Sequence, residues 1–165
     1  MDHLWAPWRM EFIREVGKAA GCFLCNAGAS DRDREDLVVA RGRTAFVLLN
    51  RYPYNNGHLL VCPRRHEGRL EGLTSEELSE IMALTIEAKR AMDRLMAPQG
   101  YNIGVNLGRA AGAGVEDHFH MHIVPRWSGD TNFITSIGST KVIPQSLEEL
   151  WQGLRAQWAA GEKPC

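Results

Sequence analysis

Polar and apolar residues alternate strictly from His118 to Val124, reading His-Phe-His-Met-His-Ile-Val. A period of two predicts a strand. Successive side chains on a strand point to opposite faces. His118, His120 and His122 should therefore line one working face, while Phe119, Met121 and Ile123 enter a core, and Pro125 should close the strand. Shorter apolar runs predict strands over 37–40, 44–50, 58–62 and 101–107, the first two joined as a hairpin through Arg41-Gly42-Arg43 and the third ended by Pro63. The period changes from 78 onward. Leu78, Ile81, Met82, Thr85, Ala88, Met92, Leu95 and Met96 recur at three- and four-residue steps, so a long helix is expected. Thr74-Ser75-Glu76-Glu77 opens it as a capping box, and Pro98 and Gly100 end it. Ser146-Leu147-Glu148-Glu149 is a second capping box, opening a C-terminal helix to about residue 159. Residues 5–16 read as a short helical arm and the charged stretch 28–36 as an exposed loop. Only one connection is long enough for a helical crossover, which points to an α+β domain. We expect an antiparallel meander sheet with one long helix and a C-terminal helix, in a single domain spanning 1–165.

Composition narrows the function. The net charge of −1 gives no field suited to bulk nucleic-acid binding. No apolar run approaches the roughly 18 residues of a membrane span, and no secretory signal is visible at the start. The expected partners are therefore neither nucleic acid nor membrane. The expected compartment is the cytoplasm, where the four cysteines stay reduced.

Three histidines on one strand face need an explanation beyond packing. A strand rises about 3.3 Å per residue, so the first and last start roughly 13 Å apart. One ion cannot gather all three from a regular strand. Division of labour fits better. Neutral imidazole is a good nucleophile near pH 7, and a covalent histidine intermediate splits one hard displacement into two easier ones. The middle residue, His120, has the best claim to that role. The glycine-rich run Gly108-Arg109-Ala110-Ala111-Gly112-Ala113-Gly114 leads into the histidines. Glycines let backbone amides approach an anion. Phosphoryl transfer needs little more than an in-line nucleophile and donors aimed at developing charge.

The run from His118 to Val124 resembles the His-x-His-x-His-x-x motif of the histidine-triad superfamily. Asn50 and the stretch Tyr52-Pro53-Tyr54-Asn55-Asn56-Gly57-His58 resemble the ribose-side segment of that family. Residues 125–133 and Leu4-Trp5-Ala6-Pro7-Trp8-Arg9 resemble its bacterial dinucleoside-polyphosphate branch. The resemblance implies the histidine-triad fold and a set of roles. His120 would attack the α-phosphorus, and His122 would orient the scissile phosphate. Asn50 would hold the ribose hydroxyls. Asn106, Gly112 and Gly114 would lie near the phosphates. No metal would be required at the reacting phosphate. A homodimer is implied in the same way. One departure stands out: the Gly-Gln-Thr that precedes the triad in fragile-histidine-triad hydrolases is here replaced by 112–117, without glutamine. That points away from water as the only acceptor, whereas the retained third histidine, His122, leans towards hydrolysis. Arg109 and Arg126 are candidates to hold inorganic phosphate, since a guanidinium offers a planar fork to phosphate oxygens.

Cys22-Phe23-Leu24-Cys25 has the spacing of a zinc knuckle but is half a site. Zinc-bearing relatives complete it with a histidine after the ribose-side strand and with the first triad histidine. In this chain those are His66 and His118. A structural zinc on Cys22, Cys25, His66 and His118 is thus implied. The expected function is cleavage of dinucleoside polyphosphates through a nucleotidyl-histidine, with phosphate or water as acceptor. A purine nucleoside phosphoramidase, a non-catalytic nucleotide sensor and a small metal-dependent hydrolase are the alternatives.

Overall fold

The computed structural model describes residues 21–130 and 143–161. The expected arm at 5–16 lies outside them. The elements are α1 (Phe23–Ala29), β1 (Val38–Arg41), β2 (Ala45–Leu49), β3 (Leu59–Pro63), α2 (Ser75–Met96), β4 (Gly100–Val105), β5 (Met121–Arg126) and α3 (Leu147–Gly161), with short 3-10 turns at Leu70–Gly72 and Arg109–Ala111. All strand pairs are antiparallel. The first three strands form a meander, and β5 inserts between β3 and β4, giving the order β1-β2-β3-β5-β4.

Both capping boxes form. Thr74 accepts from the Glu77 amide while the Glu77 carboxylate takes the Thr74 amide. Ser146 and Glu149 do the same at the start of α3. The sheet separates two apolar layers. Val47, Leu49, Leu59, Val61 and Ile123 pack against Ile81, Ala88 and Met92 of α2 and Leu150 and Leu154 of α3. The opposite face carries Phe46, Leu48, Leu60 and Cys62 against Leu24 and Ala27 of α1. Two side chains cover the β1 edge from α3: Trp151 donates to the Val38 carbonyl at 2.8 Å and Arg155 to the Val39 carbonyl at 2.9 Å. The β1–β2 turn is tied to α2 by Glu80, whose carboxylate accepts from the amides of Arg43 and Ala45 at 2.8 and 2.9 Å.

Two differences from the sequence reading have local causes. Residues 28–36 are not all exposed loop. The helix α1 runs to Ala29, and Gly28 is buried where a Cβ would meet the Phe46 ring at 3.1 Å. Seven residues are too few for a periodic signal, and this helix is held by the burial of Leu24 and Ala27. The histidine strand also begins later than expected, at Met121, so His118 and His120 lie in the segment just before it.

Candidate active site and metal centre

Strand pairing places His122 opposite Leu60, on the sheet face that carries α1. The three triad imidazoles do not form an open face. His118, His120 and His122 are only 0%, 7% and 8% exposed. Each is covered by a different neighbour: the Cys22–Cys25 pair on His118, the His122 ring edge on His120, and His58 with Tyr54 on His122.

The hydrogen bonds assign each imidazole one tautomer. His120 donates from Nδ1 to the His118 carbonyl at 2.8 Å, which leaves the Nε2 lone pair free. His118 donates from Nε2 to the Pro63 carbonyl at 2.9 Å, which leaves its Nδ1 lone pair facing the cysteines. A fourth histidine orders His122. The backbone amide of Tyr54 donates to Nδ1 of His58 at 3.0 Å, so the His58 proton is on Nε2. That Nε2–H lies 2.9 Å from Nδ1 of His122 and donates to it. The remaining proton of His122 is then on Nε2, 3.5 Å from the Asn106 amide nitrogen, and that contact becomes a hydrogen bond when the Asn106 amide is turned over to present Oδ1 as acceptor. A backbone amide thus sets the tautomer of two successive rings.

Three of these rings, His58, His118 and His122, are pushed towards the neutral form. Burial first, then the neighbouring His122 and His120, push His58 down to about 3. Burial and His120 push His122 down to about 4. Burial also lowers His118. Sequence reading did not single out His58 as a functional residue. Its signal was positional: it stands two residues before Leu60, on the face that Leu60 shares with His122 once β3 and β5 pair. Gly57 presents it. The backbone there has φ +75°, and a Cβ would meet Met96 at 3.0 Å and Pro125 at 3.2 Å, so only glycine fits.

The four expected metal ligands converge. Donor atoms of Cys22, Cys25, His66 and His118 all lie within 4.8 Å of one another. Cys22 Sγ is 3.3 Å from His118 Nδ1, and Cys25 Sγ is 3.2 Å from His66 Nδ1 and 3.4 Å from His118 Nδ1. A tetrahedral zinc with bonds of about 2.0 and 2.3 Å sets its donors about 3.3 to 3.8 Å apart. The residues fit the ion, and the Pro63 carbonyl presents His118 in the ligating tautomer. Burial and the adjacent Cys22 thiol raise the Cys25 pKa, a cost that a bound dication removes.

Other expected site residues are placed less uniformly. Asn50 lies beside His58, its Nδ2 3.2 Å from Nδ1 of that ring, while its Oδ1 accepts from the Tyr52 amide. Asn106 meets His122 as described. Gly112 and Gly114 sit in an exposed loop, Gly112 with φ +86°, and among the described residues no hydrogen bond ties either to the imidazoles. The two candidate phosphate arginines are already engaged. Arg126 grips Asp130 through Nε and Nη2 at 2.6 and 2.8 Å and donates from Nη1 to Asn102. Arg109 is 91% exposed in its side chain and pairs with Glu116. Each guanidinium thus has a carboxylate partner in the ligand-free chain.

This fold and this histidine cluster match known proteins. The HIT domain model matches residues 32–129, and the chain belongs to that family. It is 43% identical over 169 residues to an AP-4-A phosphorylase of Mycobacterium tuberculosis, covering 96% of this chain and 85% of that one. It is 32% identical over 93 residues to a bis(5'-nucleosyl)-tetraphosphatase (asymmetrical) of Schizosaccharomyces pombe, covering 56% of this chain and 50% of that protein. Among solved structures, it resembles a Zn-bound histidine triad family protein from Mycobacterium smegmatis with a TM-score of 0.68 and 27% identity, over 86% of this chain and 96% of that one.

Proposed function

We propose that this protein is a nucleotidyl transferase that cleaves dinucleoside polyphosphates of the diadenosine tetraphosphate class, with inorganic phosphate accepted at least as readily as water. The observation that carries the reading is the His120 tautomer. Its Nδ1 is committed to the His118 carbonyl at 2.8 Å, so a neutral imidazole offers a lone pair at Nε2 without prior loss of a proton. Beside it, the Nε2–H of His122 is a donor with a fixed direction, suited to the oxygen on which charge develops. In the first step a bond forms between His120 Nε2 and the α-phosphorus, and the bond from that phosphorus to the bridging oxygen breaks. For diadenosine tetraphosphate, ATP leaves with the electron pair. In the second step phosphate attacks the adenylyl-His120, the N–P bond breaks, ADP departs and neutral His120 returns. Water in place of phosphate gives AMP.

The same reading gives Asn50 the ribose hydroxyls and Asn106, Gly112 and Gly114 the phosphates. Cys22, Cys25, His66 and His118 hold a structural zinc. That ion ties α1 to the segment leading into β5, and the reaction runs at His120 and His122 without a metal on the phosphate. Supporting a homodimer, β4 is an edge strand whose residues Asn102 to Gly104 are exposed, and Leu78, Met82 and Ile86 form an exposed apolar stripe along α2. Supporting a reducing cytoplasm, the paired thiols of Cys22 and Cys25 are free to ligate.

The test is diadenosine tetraphosphate turnover with labelled inorganic phosphate. Label in ADP supports the proposal. Unlabelled AMP, formed at a rate indifferent to phosphate, makes the protein a hydrolase instead.

A further inference from the structure

Beyond covering His122, the Tyr54 side chain has no role in the site described above. Its ring stacks on His122, with centroids 5.6 Å apart and planes 21° apart, and leans on His58 at 4.7 Å. Yet the residue is 52% exposed. A ring that covers two imidazoles with one face and still has that exposure presents its other face to solvent. His122 contacts both rings, Tyr54 stacked at 5.6 Å and His120 edge-on at 4.9 Å. Asn50 and the Tyr54 ring both contact His58, Asn50 through Nδ2 at 3.2 Å from Nδ1 and the phenol ring at 4.7 Å between centroids. A sugar held at Asn50 and a phosphate at His120 would bring a nucleobase within reach of the open phenol face.

We propose that the Tyr54 ring is a stacking platform for a nucleobase of the bound nucleotide. The proposal rests on the nucleotide reading of the same site, but its test does not require turnover. Any base offers a π-face, and stacking on an aromatic side chain changes affinity by roughly five- to a hundred-fold. Purines offer more overlap than pyrimidines, so the platform favours adenine or guanine over uracil.

The experiment is calorimetric titration of wild type, Tyr54→Phe, Tyr54→Leu and Tyr54→Ala with AMP and with ribose 5-phosphate, which lacks the base. The Tyr54 amide to His58 is kept in all of them. The expected result is AMP binding weakened at least about fivefold in the Ala and Leu variants, near wild type in the Phe variant, with ribose 5-phosphate unaffected throughout. AMP affinity unchanged in Tyr54→Ala would overturn the platform. Equal weakening of AMP and ribose 5-phosphate would also overturn it, because the ring would then only pack the imidazoles. Tyr54-dependent AMP binding without cleavage of diadenosine tetraphosphate would leave the platform standing and refute the catalytic reading.

Discussion

His58 Nε2 and His122 Nδ1 lie 2.9 Å apart in a pocket where neither ring is more than 8% exposed. One ring must donate and the other accept. The Tyr54 amide on the far nitrogen of His58 decides which. The His122 proton is thereby directed outward.

Replacing His58 should therefore damage His122 without touching the nucleophile. His58→Asn removes the donor to a buried ring nitrogen, a loss of about 1–3 kcal/mol. We expect kcat to fall about 10- to 100-fold, with KM for diadenosine tetraphosphate little changed and adenylyl-His120 still forming. A KM effect with normal kcat would assign His58 to binding instead.

Acid should destabilise the protein before carboxylates matter. The folded values of about 3 for His58 and about 4 for His122 lie below the ordinary imidazole value of about 6.5. The unfolded chain therefore binds more protons in that window, and stability rises with pH there. The contribution is complete above pH ~6.5 and is lost as pH falls towards 3 to 4. Melting temperature should drop from pH 7 to pH 4, and His58→Asn should flatten that slope relative to wild type. A variant with an unchanged slope would show that other groups carry it.

Much of this architecture can be read from the chain. Period-two alternation located the strand of His122, and the capping residues Thr74 and Ser146 located both long helices to within a residue or two. What escaped depends on pairing. A histidine before an apolar run, as at His58, has no local mark, and its partner is 64 residues away. The burial of the triad was hidden for the same reason, since α1 and Tyr54 cover it from distant positions. The ligand set of Cys22, Cys25, His66 and His118 spans up to 96 residues, and only resemblance joined its halves in advance. The partner of Arg126 is local, since Asp130, four residues on, takes its guanidinium.

Removal of zinc should act on stability first. The ion would join α1 to the segment that precedes β5, while the proposed chemistry at His120 and His122 runs without it. One zinc per chain is expected in protein purified without chelator. Chelation or Cys25→Ser should lower the melting temperature by several degrees, and activity should persist below the new transition. Activity lost at once on chelation of still-folded protein would place the metal in the reaction.

The exposed edge of β4 gives the oligomer a test. Ile103 is 45% exposed on that edge, and Met82 is 50% exposed on α2. Charge on either face opposes association. Wild type should elute as a dimer by light scattering, and the double substitution Ile103→Lys, Met82→Glu as a monomer that remains folded. A wild-type monomer, or a variant dimer, would contradict this interface.

Turnover by the proposed route requires a covalent bond at His120. Protein mixed with diadenosine tetraphosphate in the absence of phosphate, quenched in alkali where a histidine N–P bond survives, can be digested and analysed by mass spectrometry. An adenylyl group on His120, absent from His120→Ala and discharged as ADP when phosphate is added before the quench, is the predicted result. Full turnover by His120→Ala, or adenylylation at another residue, would contradict the account.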